Sequence, residues 1–340
     1  MITTRSNFDL SAVTTFAIPA RCDLWVEYDS QADIPGVLAM AAREGKPFLH
    51  IGEGSNMLFT RDFPGIVAHS RVKGIEVLSD CPEHMTVRVG AGVSMDDFVQ
   101  WACNHELWGI ENLSGIPGEA GASAVQNVGA YGTEAADTLV AVHAYDRNMD
   151  EFVTIPAEEC CFGYRDSLFK HPEVRGRYVI HHVDYRLSHE PRPNVNYPAF
   201  KGVFASEPET PRQVRDAVLK IRDSKLPAPA RVPSAGSFFK NPVVTSGQLA
   251  HVIAVEGNED FPHYPAADSM WKIPAAWLID HCGWKGQRRG NAAVWHLQPL
   301  VITNPDRLAT GDEIVALENE IRQSVVERYG IELTPEVEHI

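Results

Sequence analysis

The feature that most constrains the fold is a long glycine-rich segment, SGIPGEAGASAVQNVGAYG, at residues 114–132. Its first half is almost without bulky side chains, so a ligand can lie directly against the backbone. A shorter segment, GEGSN at 52–56, follows a strand-like run and offers backbone N–H groups that can close on phosphate oxygens. Either segment alone can be a mobile loop, but two of them on one framework favour a pyrophosphate site.

That framework alternates short strands and helices. Met57 stands where the dinucleotide fingerprint G-x-G-x-x-G requires its third glycine, which predicts a dinucleotide held without a Rossmann turn. Hydrophobic patterning predicts strands over 24–28, 48–52, 85–92, 139–145 and 178–187, and helices over 35–45, 94–104, 212–225 and 311–330.

Two irregular stretches divide the chain further. The segment 189–202, HEPRPNVNYPAFKG, is rich in Pro and Asn and reads as a long loop or insertion. The proline-rich stretch 226–236 reads as a connector between domains. The last helix carries a start signal at Thr310 with Glu313 and a stop at Gly330.

Composition excludes several classes of protein. The formal net charge of −15 argues against a nucleic-acid partner, because phosphate backbones require a concentrated basic surface. No apolar run is long enough for a membrane span, and the N-terminus lacks a signal-peptide pattern. The six cysteines show no CxxC spacing, and His181 and His182 on an alternating strand should point to opposite faces. These features predict a reduced, cytoplasmic enzyme without a metal site.

The segment AGSFFKNP at 235–242 combines a hydroxyl (Ser237), an ammonium (Lys240) and an amide (Asn241) around two phenylalanines. These side chains suit a site that holds a charged ligand and delivers a proton. The alternative is a polar turn between two strands, with both phenylalanines in the core.

Two further segments carry charged candidates. In CFGYRDSLFK, residues 161–170, Arg165 lies among aromatic and small polar residues and is either a carboxylate clamp or part of a surface salt-bridge cluster. At the C-terminus, ELTPEVEHI places Glu336 between Pro335 and Val337 after a strand-like run. We therefore expect this tail to be held against the protein rather than frayed.

Taken in order, these motifs, with RDSKLPAP, AAWLIDHCGWKG and LTPEVE, resemble the UDP-N-acetylenolpyruvoylglucosamine reductase family. Members are flavoenzymes that complete UDP-N-acetylmuramate in bacterial peptidoglycan synthesis. The resemblance runs from Thr15 to Ile340, and the insertion that contains Tyr197 is similar to a tyrosine loop that closes over the substrate in one form of the family.

The resemblance implies an α+β fold: a two-part FAD-binding region of the vanillyl-alcohol-oxidase (PCMH) type plus a separate α+β substrate-binding domain. The implied boundaries are 1–74 with the tail 331–340, 75–227 with the Tyr197 insertion, and 228–330. NADPH would reduce the flavin, leave, and be replaced by UDP-N-acetylglucosamine enolpyruvate in the same cleft. The protein is expected to be a monomer.

The resemblance also implies roles for the candidate residues. Hydride from reduced flavin adds to C3 of the enolpyruvyl ether, and electron density at C2 spreads into the carboxylate. Arg165 and Glu336 would flank that carboxylate, and Ser237 would protonate C2. Substrate-contacting positions are matched by Tyr197, Lys225, Asn241 and Gln298. Cofactor-binding positions are matched by Gly52, Glu53, Gly54, Ser55, Asn56, Ser114, Gly115, Ile116, Pro117, Gly118, Gly121, Ala122, Gln126, Asn127, Gly129, Ala130 and Tyr131.

The chain departs from the family pattern at one position, because Glu338 occupies the place of an arginine. A cation near the substrate or near Glu336 is therefore missing. Two rival functions remain open at this point: an FAD-dependent oxidase on the same cofactor fold, and a non-catalytic nucleotide-binding module.

Overall fold

The structure is a computed structural model that describes residues 1–340 and divides by its contacts into two compact units. Unit 1 comprises residues 1–8, 22–53 and 64–222, and unit 2 comprises residues 9–21, 54–63 and 223–340. None of the helices combines the length and the apolar character that crossing a bilayer requires.

The elements follow one another as short strands and seven α-helices. The strands are β1 (Ile2–Asp9), β2 (Arg21–Tyr28), β3 (Phe48–Ile51), β4 (Met57–Leu58), β5 (Phe63–Ser70), β6 (Ile75–Asp80), β7 (His84–Gly90), β8 (Gly129–Ala130), β9 (Thr133–Glu134), β10 (Leu139–Asp146), β11 (Glu151–Pro156), β12 (Tyr178–Ser188), β13 (Ser234–Ser237), β14 (Val243–Val244), β15 (Tyr264–Pro265), β16 (Trp271–Lys272), β17 (Arg288–Arg289), β18 (Ala292–Val294), β19 (Val301–Thr303) and β20 (Glu338–His339). The α-helices are α1 (Ile34–Glu44), α2 (Met95–Asn104), α3 (Ala120–Gln126), α4 (Pro211–Lys225), α5 (Ser246–Glu256), α6 (Ala275–His281) and α7 (Gly311–Tyr329).

Unit 1 contains two larger sheets and a two-stranded sheet of β8 with β9. One has the order β1-β2-β5-β3, and the other is a five-stranded antiparallel sheet with the order β11-β10-β12-β7-β6. Apolar residues of α2 and α3 share a buried core with alternate residues of β7, β10 and β12, since period-two strands present one face to the helices. The predicted helix boundaries hold: the Ser94 hydroxyl caps α2, and Gly45 ends α1 in the left-handed region.

Unit 2 contains the sheets β13-β19-β18-β17 and β14-β16-β15. Its core joins α5, α6 and α7 to both phenylalanines of the AGSFFKNP segment, which are at most 1% exposed. The capping box of Thr310 with Glu313 starts α7, as the sequence predicts. The predicted fixed tail is also confirmed: β20 pairs with β4, and the Ile340 N–H donates to the Leu58 carbonyl over 2.9 Å.

Candidate active site

The start of the GEGSN segment meets the long glycine-rich segment inside unit 1. The Gly118 N–H donates to Glu53 Oε2 over 2.7 Å. A Cβ placed on Gly52 would lie 3.4 Å from the Ala122 Cβ and 3.2 Å from the Glu119 carboxylate, so the two backbones pack with only small residues between them. Unit 1 thus places Gly52 and Glu53, the first two residues of GEGSN, against the long glycine-rich segment.

A half-buried ion pair fixes the beginning of the long glycine-rich segment. Asp96 accepts a hydrogen bond from the Gly115 N–H over 2.6 Å and pairs with both terminal nitrogens of Arg215. Burial opposes the ionisation of Asp96, but Arg215 and the Gly115 N–H outweigh it and hold the pKa of this carboxyl below its usual value. Sequence reasoning missed Asp96, whose one local signal is its place in the first turn of α2.

Arg165 packs onto the end of the same segment. One terminal nitrogen donates to the Gly129 carbonyl, the other lies 3.7 Å from Glu134, and the guanidinium stacks over the Tyr164 ring. Its side chain is only 16% exposed, so the alternative of a surface salt-bridge cluster does not describe it. A Cβ on Gly129 would fall 2.9 Å from the guanidinium, which explains the glycine at that position.

Two neighbouring bonds hold the Arg165 loop in place. Asn127 donates to the Gly163 carbonyl over 2.9 Å, and Lys170 Nζ donates to Gln126 Oε1 over 2.7 Å. Arg165 itself has a φ of 54°, in the left-handed region that non-glycine residues seldom adopt. The surrounding bonds therefore impose the direction of its side chain.

Ser237 lies at a bulge in unit 2. β13 pairs with β19 at Ser234 and again at Ser237, with a shift of register between the two pairs. Gly236 takes a φ of 73° at this point, and a bulge of this kind re-aims the residue that follows it. Ser237 is exposed while Phe238 and Phe239 are buried, so the hydroxyl stands at the surface on a rigid support.

The C-terminal tail runs beside this strand. The Glu336 N–H donates to the Phe238 carbonyl over 2.8 Å, and the Lys240 N–H donates to the Thr334 carbonyl over 2.9 Å. Asn56 Nδ2 donates to the Glu336 carbonyl over 3.1 Å. Unit 2 therefore brings the end of GEGSN, the Ser237 segment and the tail glutamate together, although they are far apart in sequence.

The other candidates in unit 2 make hydrogen bonds within that unit. Asn241 Oδ1 accepts a hydrogen bond from the Ala275 N–H at the start of α6. The Lys225 carbonyl accepts from Trp295 Nε1 over 3.0 Å, and the Gln298 carbonyl accepts from the Val301 N–H. Glu338 lies in β20 opposite Met57, and its N–H donates to the Asn56 carbonyl.

The predicted site residues are thus divided between the units. Unit 1 holds Gly52, Glu53, Ser114, Gly115, Ile116, Pro117, Gly118, Gly121, Ala122, Gln126, Asn127, Gly129, Ala130, Tyr131, Arg165 and Tyr197. Unit 2 holds Gly54, Ser55, Asn56, Lys225, Ser237, Asn241, Gln298 and Glu336.

One prediction about the histidines is wrong. β10 pairs His143 with His182 but Ala144 with Ile180, so His181 is an extra residue in a bulge and does not alternate with its neighbour. The Nδ1 atoms of His181 and His182 lie 2.7 Å apart, and both rings line a cavity of about 550 Å³ in unit 1. Burial lowers the pKa of His181 to about 3.

Metal-ligating side chains also meet at one turn. Cys81, Glu83 and His84, at the turn between β6 and β7, place one ligand atom each within 4.8 Å of one another. None of the three is among the predicted site residues, and the expected absence of a metal site stays a prediction.

Comparison with known proteins identifies both parts of the chain. Residues 22–153 match the family model described as FAD binding domain, and residues 228–340 match UDP-N-acetylenolpyruvoylglucosamine reductase, C-terminal domain. The UDP-N-acetylenolpyruvoylglucosamine reductase of Porphyromonas gingivalis is 43% identical over 338 residues, covering 99% of both chains. That of Chromobacterium violaceum is 43% identical over 337 residues, covering 98% of this chain and 97% of its own.

A solved structure shows the same fold at lower identity. The crystal structure of UDP-N-acetylenolpyruvylglucosamine reductase from Thermus caldophilus matches 100% of this chain and 98% of its own, with a TM-score of 0.66 and 22% identity. The predicted fold, an FAD-binding region joined to an α+β domain, is confirmed. Because relatives 43% identical cover almost its entire length, the chain belongs to the UDP-N-acetylenolpyruvoylglucosamine reductase family.

Proposed function

We propose that this chain reduces the enolpyruvyl group of UDP-N-acetylglucosamine enolpyruvate to give UDP-N-acetylmuramate, with bound FAD and with NADPH as reductant, in peptidoglycan synthesis. One observation supports this most directly. In unit 2 the Glu336 N–H is bonded to the Phe238 carbonyl, so the tail glutamate runs beside the exposed Ser237. A hydroxyl and a carboxyl on adjacent segments fit a reaction that protonates a carbon next to a carboxylate.

The residues of unit 1 fit FAD. Gly52, Gly121 and Ala122 carry no side chain beyond Cβ, and a Cβ on Gly52 would lie 3.4 Å from the Ala122 Cβ, so a pyrophosphate can approach the backbone at these small residues closely. When bound, FAD takes two electrons from NADPH and supplies them, as hydride, to C3 of the enolpyruvyl group. We assign cofactor contacts to residues 52–56, 114–118, 121, 122, 126, 127 and 129–131.

The protein's own residues then stabilise the negative charge on the substrate and donate the proton. The Ser237 hydroxyl gives its proton to C2, and Arg165 and Glu336 hold the substrate carboxylate as negative charge develops there. Tyr197 contacts the diphosphate, and Lys225, Asn241 and Gln298 bind the remainder of the sugar nucleotide. NADPH and the sugar nucleotide occupy the same cleft in turn, so the enzyme alternates between two half-reactions.

The remaining assignments are also proposals. We divide the chain into residues 1–74 with 331–340, 75–227 and 228–330, where the first two parts bind FAD and the last binds substrate. Nucleotide sugars and NADPH are cytoplasmic metabolites, which places the activity in the cytoplasm. We expect a monomer, and light scattering coupled to size-exclusion chromatography tests that expectation.

Anaerobic stopped-flow spectroscopy of the purified yellow protein tests the function. NADPH should bleach the flavin absorbance, and the enolpyruvyl sugar nucleotide should restore it in a separate step. Rapid reoxidation by oxygen with none by the sugar nucleotide would replace the proposal with an oxidase. A colourless protein that cannot be reconstituted with FAD would instead indicate a nucleotide-binding module.

A further inference from the structure

The segment that carries Tyr197 is attached to unit 1 on both sides of that residue. Before it, Asn194 Nδ2 donates to the Gly132 carbonyl over 2.8 Å and approaches Thr133 Oγ1 at 3.3 Å. After it, Phe200 is 3% exposed and packs in a cluster with Trp108, Val214 and Val218. Tyr197 lies between these attachments with 47% of its surface exposed.

A single buried amide joins this segment to the long glycine-rich segment. Asn112, which is 0% exposed, donates from Nδ2 to the Tyr131 carbonyl over 2.9 Å and to the Asn194 carbonyl over 2.8 Å. Its Oδ1 has no hydrogen-bond partner. Both N–H donors of the amide are therefore used to hold two backbone carbonyls in register.

Aromatic rings form a second contact between the Tyr197 segment and the long glycine-rich segment. The Tyr131 and Tyr197 rings meet edge to face with centroids 5.8 Å apart, and the Tyr131 ring lies 5.7 Å from Phe200. Asn112 thus fixes the peptide of the same tyrosine that Tyr197 contacts. Any shift of the Asn194 carbonyl relative to the Tyr131 carbonyl would change where the Tyr197 hydroxyl is presented.

We propose that Asn112 is a positioning residue that fixes Tyr197 relative to the glycine-rich segment 114–132 and so sets the affinity for the diphosphate of the sugar nucleotide. The proposal rests on the proposed function for its substrate, but the attachment itself does not. Asn112 touches neither the reacting atoms nor, on this proposal, the ligand, and it acts through Asn194 and Tyr131.

Hydrogen exchange of the FAD-loaded protein without substrate tests the attachment. We compare two variants that each remove one set of side-chain bonds. Asn112→Asp removes the buried donors to the Tyr131 and Asn194 carbonyls. Asn194→Ala keeps its own carbonyl and removes the Nδ2 donor to the Gly132 carbonyl. Asn196→Ala is the matched control, because Asn196 is an exposed asparagine in the same segment without a side-chain hydrogen bond. Exchange over residues 189–206 should become about tenfold faster in both variants and stay unchanged in the control, since about 1.4 kcal/mol corresponds to a factor of ten.

Steady-state and half-reaction kinetics test the positioning role. KM for the enolpyruvyl sugar nucleotide should rise about tenfold in Asn112→Asp and Asn194→Ala, with kcat within about twofold and flavin reduction by NADPH unchanged. Faster exchange with an unchanged KM would overturn the positioning role. Exchange equal to that of Asn196→Ala in both variants would overturn the attachment. A wild-type protein inactive on the sugar nucleotide would refute the proposed function, while the exchange result would still decide the attachment.

Discussion

The two compact units present their candidate residues in different ways. In unit 1 the candidates are mostly backbone groups and glycines, held by hydrogen bonds with the half-buried Asp96 and the buried Asn127. In unit 2 the central candidate is one exposed hydroxyl, Ser237, whose neighbours Phe238 and Phe239 are fully in the core. Changes in unit 1 should therefore affect stability and cofactor binding together, whereas a change at Ser237 should affect chemistry alone.

The largest effect should come from Ser237→Ala. Loss of the proton donor should slow flavin reoxidation by the sugar nucleotide by about two orders of magnitude or more, while flavin reduction by NADPH stays near normal. The exposed side chain should change the free energy of unfolding by less than about 0.5 kcal/mol. Stopped-flow traces of both half-reactions measure this, with Ser246→Ala, another exposed serine of unit 2, as control. Equal loss in both half-reactions would remove Ser237 from the proton-donor role.

The next effect should come from Gly121→Val in unit 1. A Cβ on Gly121 would lie 2.7 Å from the Ala91 Cβ, so the substitution forces α3 away from the strand end. We expect a loss of about 2–3 kcal/mol in unfolding free energy together with weaker FAD binding. Denaturant titration and flavin fluorescence measure the two quantities.

Gly236→Ala is the matched glycine change in unit 2. Space around Gly236 is open, so only the strain of its φ of 73° applies, at about 1 kcal/mol. FAD affinity should not change. If both glycine variants lost FAD equally, the contrast between the two units would fail.

The pH dependence of stability provides a further contrast between the units. Asp184 in unit 1 is buried, which disfavours its charge, but Arg88 and His143 outweigh this and lower its pKa to about 2. Its contribution is therefore present above the unfolded pKa and is lost as the pH falls through about 2. With a shift of nearly two units the contribution is about 2 kcal/mol. Asp184→Asn should lose it at pH 7 and not near pH 2, as followed by hydrogen exchange in β7 and β12.

The smallest effect should be a loss of stability in unit 2 as the pH rises. Glu318 accepts a hydrogen bond from His339 over 2.7 Å and raises the pKa of this imidazole. Its contribution is present below the unfolded pKa of about 6.5 and is lost as the pH rises through the higher folded value. Because the ring is partly exposed, we expect less than about 1 kcal/mol. Exchange at Ile340 and Leu58 between pH 6 and 9 should show the loss, and His339→Gln should abolish the pH dependence.

Local patterns predicted the elements well because their causes are local. Helical spacing, the caps at Ser94 and Thr310 and the stops at Gly45 and Gly330 lie within a few residues of the elements that they define. The alternation of β12 was also correct in extent. It failed at His181, because the bulge depends on how β10 pairs with β12 and not on the sequence of β12 alone.

The sequence by itself determined five of the strands and four of the helices, the two glycine-rich segments and the identity of Ser237, Arg165 and Glu336 as candidates. Only the tertiary structure decided which of them meet. The Asn56 amide reaches Glu336 across 280 residues, Asp96 reaches Arg215 across 119, and Asn112 reaches Asn194 across 82. Such contacts are set by the packing of whole elements. No local sequence pattern around Asn112 predicts its role, because its partners are contributed by distant segments of the chain.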